Sequence, residues 1–500
     1  MYYKKAETWE FRCIFVHQLK FLSDDYPMTI SDFIDAIIQE FGMVPTAGQR
    51  AVLSTFAHFL ASRNEQSGMI LRGSAGTGKT SLAGAVVRTL RRLGQRLVLL
   101  APTGRAAKVF SMNSGCAAFT IHRRIYRQKT FAGDFNLNFN SNRDTLFMVD
   151  EASMISIDLL NDLVRFVYSG SNCRLLLIGD SAQLPPIGEE TSPALSSDVL
   201  RLMGVEAVEA DLSEVVRQSE QSGILFNATI VRQAGEQQGE ALSLLPKIRF
   251  SGFADIARVS GNELIDALQQ SYREVGIDET MVITRSNRRS NIYNMGIRNT
   301  ILDREELLES GDMLMVVKNR YLAAATHVGE GSDAQEKVKN LDFIANGDRV
   351  RVQRVRHQRE LYGFHFADVW LQFPDYDNWE WQTTVITDSL TSEAPALTSE
   401  QQDLLYNKVM EDYADIPLKA DRLKRLRDDP YYNALQVKFG YAVTCHKAQG
   451  GQWAHVYVDQ GMPPAADVQG RERLEYIHWL YTALTRATER LFLVNWPEEE

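Results

Sequence analysis

The chain has 500 residues, of which 44% are hydrophobic and 24% are charged, and its formal net charge is −10. This composition excludes a wholly disordered chain, a collagen-like repeat and a basic, histone-like coat for nucleic acid, although an acidic protein can still carry a local basic groove. The four cysteines lie far apart, so we expect neither a disulfide framework nor a cysteine zinc site. Without a signal-peptide core or a long apolar run, the sequence predicts a soluble, cytoplasmic protein that does not contact a membrane.

Short apolar runs alternate with helical patterns along the chain, and their length and bulk are typical of buried parallel strands. These runs are Leu97–Ala101, Leu146–Val149, Leu175–Ile178, Met281–Ile283, Val456–Val458 and Leu491–Val494. The helical patterns are Ser81–Leu93, Ile157–Tyr168, Asn262–Tyr272 and Ser290–Thr300. The alternation predicts an α/β fold that binds its ligands at the carboxyl ends of the strands.

Two stretches interrupt this alternation. Residues 121–145 begin with basic residues and continue as a polar hairpin pattern with a turn near Gly133 and Asp134. Residues 302–435 combine strand patterns with the charged, helix-like run Ser399–Arg427, and predict an inserted β-rich domain with a helical appendage. The strand patterns of this insert are Met313–Val317, Asp348–Val355, His365–Phe373 and Thr383–Ile386.

The segment Gly73–Thr80 reads GSAGTGKT and matches the phosphate-binding pattern G-x-x-x-x-G-K-[ST]. It follows the apolar Met69–Leu71 and precedes a helical pattern, which is the strand–loop–helix context that distinguishes this motif from a chance glycine-rich turn. Lys79 would reach the β- and γ-phosphates, and the Thr80 hydroxyl would ligate Mg²⁺. The predicted ATP-binding residues of the loop are Gly73, Ser74, Ala75, Gly76, Thr77, Gly78, Lys79, Thr80 and Ser81.

Polar residues follow two further predicted strands. Asp150 would hold Mg²⁺ and Glu151 would orient or deprotonate the attacking water, whereas the alternative is a pair of acids that caps a helix. Gln183 would contact the γ-phosphate, unless its loop is a plain turn. Arg217 and Arg486 would supply positive charge from outside the loop, but the residues alone favour a solvated surface arginine equally well.

A set of motifs occurs in the order GSAGTGKT, APTGRAAKVF, FTIHR, MVDEAS, IGDSAQLPP, EVVRQ, VTCHKAQG and YTALTRA. Together they resemble the motifs of superfamily 1 helicases, and GDSAQLPP, VRQ and CHKAQG most resemble the RecD/Dda-type superfamily 1B branch. The resemblance extends over roughly residues 46–495 and does not cover residues 1–25. It covers 302–435 loosely, through Ile344–Asp348, which resembles the inserted SH3-like domain of that branch.

The resemblance implies two RecA-like P-loop domains in tandem, with ATP and Mg²⁺ in the cleft between them and single-stranded DNA across both. It also implies a small β-hairpin insertion in the first domain and an SH3-like β insertion in the second. The implied boundaries are 1–25 for an N-terminal extension, 26–215 for the first domain with its pin at about 121–145, 216–301 and 436–500 for the second, and 302–435 for the insert.

The resemblance also implies roles for single residues. Gln49, in PTAGQ, would read the adenine edge, and Arg217 and Arg486 would be arginine fingers, which completes a catalytic set of Lys79, Glu151, Gln183, Arg217 and Arg486. The implied DNA-binding residues are Thr103, Arg105, Thr120, His122, Thr444, His446, Lys447 and Gln449. The residue type alone would favour a structural role for His446.

The sequence therefore predicts an ATP-dependent DNA helicase that moves on single-stranded DNA, 5′→3′ by resemblance, and unwinds duplexes at ss/ds junctions in DNA repair or recombination. Its partners would be DNA and possible repair or recombination proteins. The alternatives are a helicase subunit of a larger recombination nuclease, a nucleotide-gated clamp that binds single strands without unwinding, and an enzyme that acts on RNA.

Overall fold

The structure is a computed structural model that describes residues 28–128, 135–214, 222–236, 246–322, 343–376, 378–461 and 471–497. The turn expected near Gly133 and Asp134, the proposed arginine finger Arg217 and the extension 1–25 lie outside the described residues. In the part of the chain that is described, no helix is both long and apolar enough to span a lipid bilayer.

The first part of the chain forms a six-stranded, all-parallel sheet flanked by helices. In chain order its elements are α1 (Ile30–Phe41), α2 (Ala47–Ala61), β1 (Ser67–Gly73), α3 (Lys79–Arg92), β2 (Arg96–Ala101), α4 (Gly104–Ser114), β3 (Ala118–Thr120), α5 (Ile121–Ile125), β4 (Tyr126–Gln128), β5 (Phe135–Leu137), β6 (Thr145–Val149), α6 (Ile157–Tyr168), β7 (Arg174–Gly179), α7 (Ser197–Leu202) and β8 (Glu206–Leu212). The strand order is β3-β2-β6-β7-β1-β8. Helical crossovers between parallel strands bring all the carboxyl ends to one edge.

The rest of the chain adds a second sheet and a barrel. In chain order its elements are α8 (Gly223–Glu236), β9 (Ile256–Val259), α9 (Leu264–Glu274), β10 (Thr280–Thr284), α10 (Asn287–Gly296), β11 (Met313–Val316), β12 (Arg320–Tyr321), β13 (Phe343–Ile344), β14 (Arg349–Leu361), β15 (Phe364–Phe373), β16 (Trp379–Ile386), α11 (Asp388–Thr391), α12 (Ser399–Glu411), α13 (Lys419–Asp428), β17 (Leu435–Phe439), β18 (Ala442–Thr444), α14 (Cys445–Ala448), β19 (Trp453–Asp459), α15 (Arg471–Leu484) and β20 (Ala487–Val494).

The second sheet is also parallel and has the strand order β18-β10-β19-β20-β9. Each of the six apolar runs predicted as strands lies within β2, β6, β7, β10, β19 or β20, which confirms those predictions. The predicted helix Ile157–Tyr168 coincides with α6, because its apolar residues recur at helical spacing after Ser156, which caps it. Helix α10 begins at Asn287, earlier than the predicted Ser290, because Ser286 caps it there.

A closed barrel is formed by β11, β14, β15, β16 and β17. It differs from the two parallel sheets, whose strands precede and follow it in the chain. The buried side chains of the barrel strands are aliphatic and aromatic, and they suit a small barrel interior. The barrel closes through Leu435–Phe439, so it continues past residue 435, the expected end of the insert. The run Ser399–Arg427 forms the two helices α12 and α13, and their buried Leu405, Val409 and Leu426 pack against the far end of the β14–β15 hairpin.

The predicted hairpin region contains the short helix α5 and the antiparallel pair β4–β5, in which Tyr126 faces Leu137. The Tyr126 hydroxyl donates a hydrogen bond to Asp162 on α6 at 2.7 Å, which ties the base of the hairpin to the first sheet. Beyond it, Phe139 leaves 85% of its surface exposed. The base of the hairpin is therefore bound to α6, which flanks the first sheet, and an aromatic side chain beyond the hairpin is exposed to solvent.

Candidate nucleotide and nucleic-acid site

The loop Gly73–Thr80 joins β1 to α3 at the carboxyl edge of the first sheet. Gly76 and Gly78 have φ of 77° and 79°, a left-handed conformation that glycine adopts without steric cost. The Lys79 ammonium donates hydrogen bonds to the backbone carbonyls of Gly73 and, at 2.9 Å, of Ser74. The Lys79 ammonium is thus held inside the loop, at the position where phosphate oxygens would bind.

Gln49 lies against this loop, although it is distant in sequence. Its side-chain N–H donates to the Thr77 carbonyl at 3.0 Å, and its side-chain oxygen accepts from the Thr46 N–H at 3.0 Å. Only 2% of Gln49 is exposed. It lies in the first turn of α2, where it forms a capping box with Thr46. The structure therefore places Gln49 beside the phosphate loop. The adenine contact implied by the resemblance stays a prediction.

Asp150 and Glu151 follow β6 at the same edge. The Glu151 N–H donates to the Asp150 carboxylate at 2.9 Å, and Glu151 has a φ of 52°. Burial and the charge of Glu151 raise the pKa of Asp150 to about 7. A divalent cation would favour the ionised carboxylate here, so Asp150 and the hydroxyl of Thr80, which follows Lys79 in α3, are suitable ligands for Mg²⁺.

The loop after β7 carries the predicted Gln183. The Gln183 side chain is 6% exposed, and its oxygen has no hydrogen-bond partner among the described residues. Three residues earlier, Asp180 lies 3.8 Å from the Lys79 ammonium. A buried acceptor without a partner is costly, so we expect Gln183 to gain one when the site is filled, for example a water molecule held at the γ-phosphate.

This loop also joins the first sheet to the second. The Leu184 N–H donates to the Thr482 hydroxyl of α15 at 2.8 Å, and the Leu184 carbonyl accepts from the Gln449 side chain at 2.7 Å. Gln449 was predicted from the resemblance as a DNA contact. Its amide N–H is used here in the cleft between the sheets, next to the loop that holds Gln183.

Arg486 follows α15 and is 3% exposed. Its guanidinium donates to the carbonyls of Thr482 at 3.0 Å and Gly451 at 3.2 Å, and to the Thr485 hydroxyl at 3.0 Å. These acceptors all belong to the second sheet and its loops. Arg486 is thus held one helical turn behind Thr482, which forms the contact with the first sheet, and its role as an arginine finger stays a prediction.

Sequence reasoning missed Asp180 and Tyr481 as members of this site. Both lie inside quoted motifs, IGDSAQLPP and YTALTRA, but a buried strand end and an apolar helix favour packing roles for them. The signal that was available is a hydroxyl on an otherwise apolar face of α15. The structure shows the Tyr481 hydroxyl bound to both the phosphate loop and Asp180.

The DNA-binding residues predicted in the first sheet lie at its carboxyl edge. Thr103 and Thr120 both cap short helices, since their hydroxyls accept from the N–H groups of Ala106 at 3.2 Å and Arg123 at 3.3 Å. Burial lowers the pKa of His122, whose ring packs against Tyr126 with centroids 5.5 Å apart. The structure thus uses both hydroxyls as helix caps, and the DNA contacts implied by the resemblance stay predictions.

The corresponding residues of the second sheet follow β18. Burial lowers the pKa of His446, and burial together with Lys438 lowers the pKa of Lys447 to about 8. Thr444 precedes α14 as its N-terminal cap residue. An anion beside these groups would stabilise their protonated forms, which is what a backbone phosphate would supply.

Arg105 connects the two edges. Its guanidinium lies 4.5 Å from the centre of the Trp453 ring, at the start of β19, and donates to the carbonyl of Gln452, which precedes that strand. The neighbouring Lys108 donates to the Pro374 carbonyl of the barrel at 2.9 Å. The predicted DNA-binding segment of α4 is thus placed where the first sheet, the second sheet and the barrel meet.

The chain matches two family models. A model described as an AAA domain matches residues 37–247, and one described as a UvrD-like helicase C-terminal domain matches residues 439–494. The first match contains the phosphate loop and the loops after β6 and β7, and the second contains β18 to β20. The two matched segments therefore include both sides of the cleft described above.

The chain is also similar to two sequence relatives and to one solved structure. The chain is 36% identical over 120 residues to the ATP-dependent RecD2 DNA helicase of Deinococcus radiodurans, and this match covers 24% of the chain and only 16% of that relative. It is 23% identical over 451 residues to the ATP-dependent DNA helicase dda of Enterobacteria phage T4, covering 87% of the chain and 96% of the relative. A structure of Pif1 helicases unwinding forked dsDNA aligns with a TM-score of 0.44 at 14% identity, over 90% of this chain and 92% of that one.

The family models and the sequence relatives show what this chain resembles. They confirm the predicted resemblance to superfamily 1 helicases and, within them, to the RecD/Dda-type 1B branch.

Proposed function

We propose that this chain is an ATP-dependent DNA helicase that moves 5′→3′ on single-stranded DNA and unwinds duplexes at ss/ds junctions in DNA repair or recombination. The observation that carries the proposal is the bond from Leu184 to Thr482. It joins the loop at the phosphate site directly to the helix that precedes Arg486. A change at the loop after β7 therefore has a short, hydrogen-bonded route to the second sheet.

The residues at the phosphate edge fit nucleotide hydrolysis. ATP would supply the phosphoanhydride bond that is hydrolysed. Thr80 and Asp150 would hold the Mg²⁺ ion that accompanies it. Lys79 would turn from the carbonyls of Gly73 and Ser74 to offset phosphate charge. Glu151 would accept the proton of the attacking water. Arg217 and Arg486 would add positive charge from the other side of the cleft.

The segments after β2, β3 and β18 would hold the nucleic acid. Hydroxyls, backbone N–H groups and a few cations bind phosphates without reading base sequence, which suits an enzyme that moves along a strand. In this scheme the β4–β5 hairpin acts as the pin that splits the duplex, with the exposed Phe139 available for stacking, and the barrel is the SH3-like insert of the second RecA-like domain. The expected domain boundaries belong to the same proposal.

The direct test measures ATP turnover with and without single-stranded DNA, followed by unwinding of duplexes that carry a 5′ or a 3′ tail. We expect DNA to stimulate turnover and the 5′-tailed duplex to be unwound. Stimulation without strand separation on either substrate would favour a nucleotide-gated clamp. An ATPase that ignores DNA but responds to an RNA strand of the same sequence would reassign the substrate.

A further inference from the structure

The Tyr481 hydroxyl is shared between the two sheets. It accepts a hydrogen bond from the Ala75 N–H of the phosphate loop at 2.8 Å and donates one to the Asp180 carboxylate at 2.6 Å. Only 1% of Tyr481 and 2% of Asp180 are exposed, so water does not compete for these bonds. The phosphate loop is thereby attached to α15.

Asp180 connects this hydroxyl to the catalytic cation. The same carboxylate oxygen that accepts from Tyr481 lies 3.8 Å from the Lys79 ammonium, and the second oxygen accepts from the Ala182 N–H at 3.1 Å. Burial and the negative charge of Asp180 raise the pKa of Tyr481 far above its ordinary value, so the hydroxyl keeps its proton and remains a donor. Without that donor, the carboxylate would turn to Lys79.

The residue next to Tyr481 continues the connection. Thr482 accepts from the Leu184 N–H, and the Leu184 carbonyl accepts from Gln449, which follows α14. Ala75 and Ala182 also pack against the apolar core of the second sheet. A displacement of the phosphate loop would therefore move α15, and with it the segment that is proposed to hold the strand.

We propose that Tyr481 is a positioning residue that couples the phosphate loop to strand binding, by holding Ala75 and Asp180 to α15 through one hydroxyl. This inference rests on the proposed DNA-dependent ATPase activity. Coupling between two sites is reciprocal in their binding free energies, so nucleotide at the phosphate loop and DNA at the second sheet would each change the affinity for the other. DNA bound at the second sheet would then adjust Asp180 and Lys79 through Tyr481.

The test replaces one hydroxyl and leaves the ring in the core, with Tyr476→Phe as the matched control. Tyr476 lies on the same helix, is also 1% exposed, and donates to Gln460 at 2.6 Å within its own sheet. In Y481F we expect the ratio of DNA-stimulated to unstimulated turnover to fall, on the order of the 5- to 150-fold by which two coupled sites typically affect each other. In Y476F we expect the wild-type ratio.

Hydrogen exchange gives a second readout that does not depend on turnover. Peptides that contain residues 73–80 and 180–185 should exchange faster in Y481F than in Y476F or the wild type, without nucleotide. A wild-type stimulation ratio in Y481F, an equal fall of both rates, or unchanged exchange would overturn the role of Tyr481. A wild-type protein that fails to hydrolyse ATP in the presence of DNA would instead overturn the proposed function, and the coupling role with it.

Discussion

Two groups of loops in this molecule are built in different ways. We call Gly73–Thr80, together with the loops after β6 and β7, the phosphate edge. We call the segments after β2, β3 and β18, which are predicted to bind DNA, the strand-binding edge. The phosphate edge is dominated by one contiguous loop, Gly73–Thr80, whose backbone N–H groups and Lys79 act together. The predicted strand-binding edge is assembled from short segments at the ends of β2, β3 and β18, of which the first two contribute two predicted side chains each and the third contributes four. A contiguous loop has its chemistry set by local backbone conformation, whereas scattered segments have theirs set by how the sheets meet.

The two edges also differ in the contacts that their positively charged side chains make. Lys79 is bound to carbonyls of its own loop, which it can leave without disturbing the fold. Arg105 instead stacks on Trp453 and binds the Gln452 carbonyl across the cleft. We therefore expect substitutions at the phosphate edge to remove activity and leave stability intact, and substitutions at the strand-binding edge to affect both.

The largest effect is expected from Lys79→Ala. No neighbour in the loop can offset the phosphate charge, so ATP turnover should fall below detection while the melting temperature stays near that of the wild type. A malachite-green phosphate assay with a thermal melt measures both quantities. Turnover within a few-fold of the wild type would contradict the assignment of the phosphate loop.

Arg486→Ala tests whether the second sheet completes the phosphate edge. Loss of an arginine finger typically lowers turnover 10³–10⁵-fold, while ATP binding, which depends on the loop and Gln49, should fall far less. Thr485→Ala is the matched control, because it removes one acceptor of Arg486 and keeps the charge. If both variants lose stability and turnover to the same extent, Arg486 has a structural role.

Arg105→Ala measures the strand-binding edge. If Arg105 contacts a phosphate, the slope of log affinity for single-stranded DNA against log salt should decrease by about 0.7. Arg96→Ala is the control, since Arg96 is exposed at the first residue of β2, at the opposite end of that strand from the segment that leads to Arg105 in α4. Fluorescence anisotropy over a salt series gives the slopes. An unchanged slope with a lower melting temperature would mean that Arg105 serves only the contact with Trp453.

The smallest effect is expected at Asp348, where the barrel meets α4. Burial raises the pKa of Asp348 from an ordinary 3.8 to about 7. Because the folded state disfavours the ionised form, this group lowers stability as pH rises from about 4 to about 7, and the loss is complete above that range. Asp348→Asn cannot ionise and keeps an acceptor for the Tyr376 hydroxyl. The variant should match the wild type near pH 4 and melt higher near pH 8.

Asp368→Asn provides a control of opposite sign. Burial would raise the pKa of Asp368, but hydrogen bonds from Arg359, Thr384 and His357 outweigh it and lower the pKa. Its ionised form therefore stabilises the fold at neutral pH, and the variant should melt lower than the wild type near pH 8. Thermal melts of both variants against pH give the two signs, and a shift in the same direction for both would contradict the burial argument for Asp348.

By itself, the sequence determined the features that depend on near neighbours. The bounds of α6, the six apolar strands and the conformation of the Gly73–Thr80 loop follow from periodicity, capping residues and glycine, all of which act within a few residues. The order of the motifs was sufficient to predict the resemblance to superfamily 1 helicases that the family models and the sequence relatives confirm.

Only the tertiary structure determined which residues connect the two sheets. Tyr481 is 406 residues from Ala75 and 301 from Asp180, and no local pattern links residues at such separations. The same holds for the burial of Arg486 among carbonyls of its own sheet and for the closure of the barrel through Leu435–Phe439. These arrangements depend on which surfaces become buried together, and burial is a property of the folded chain as a whole.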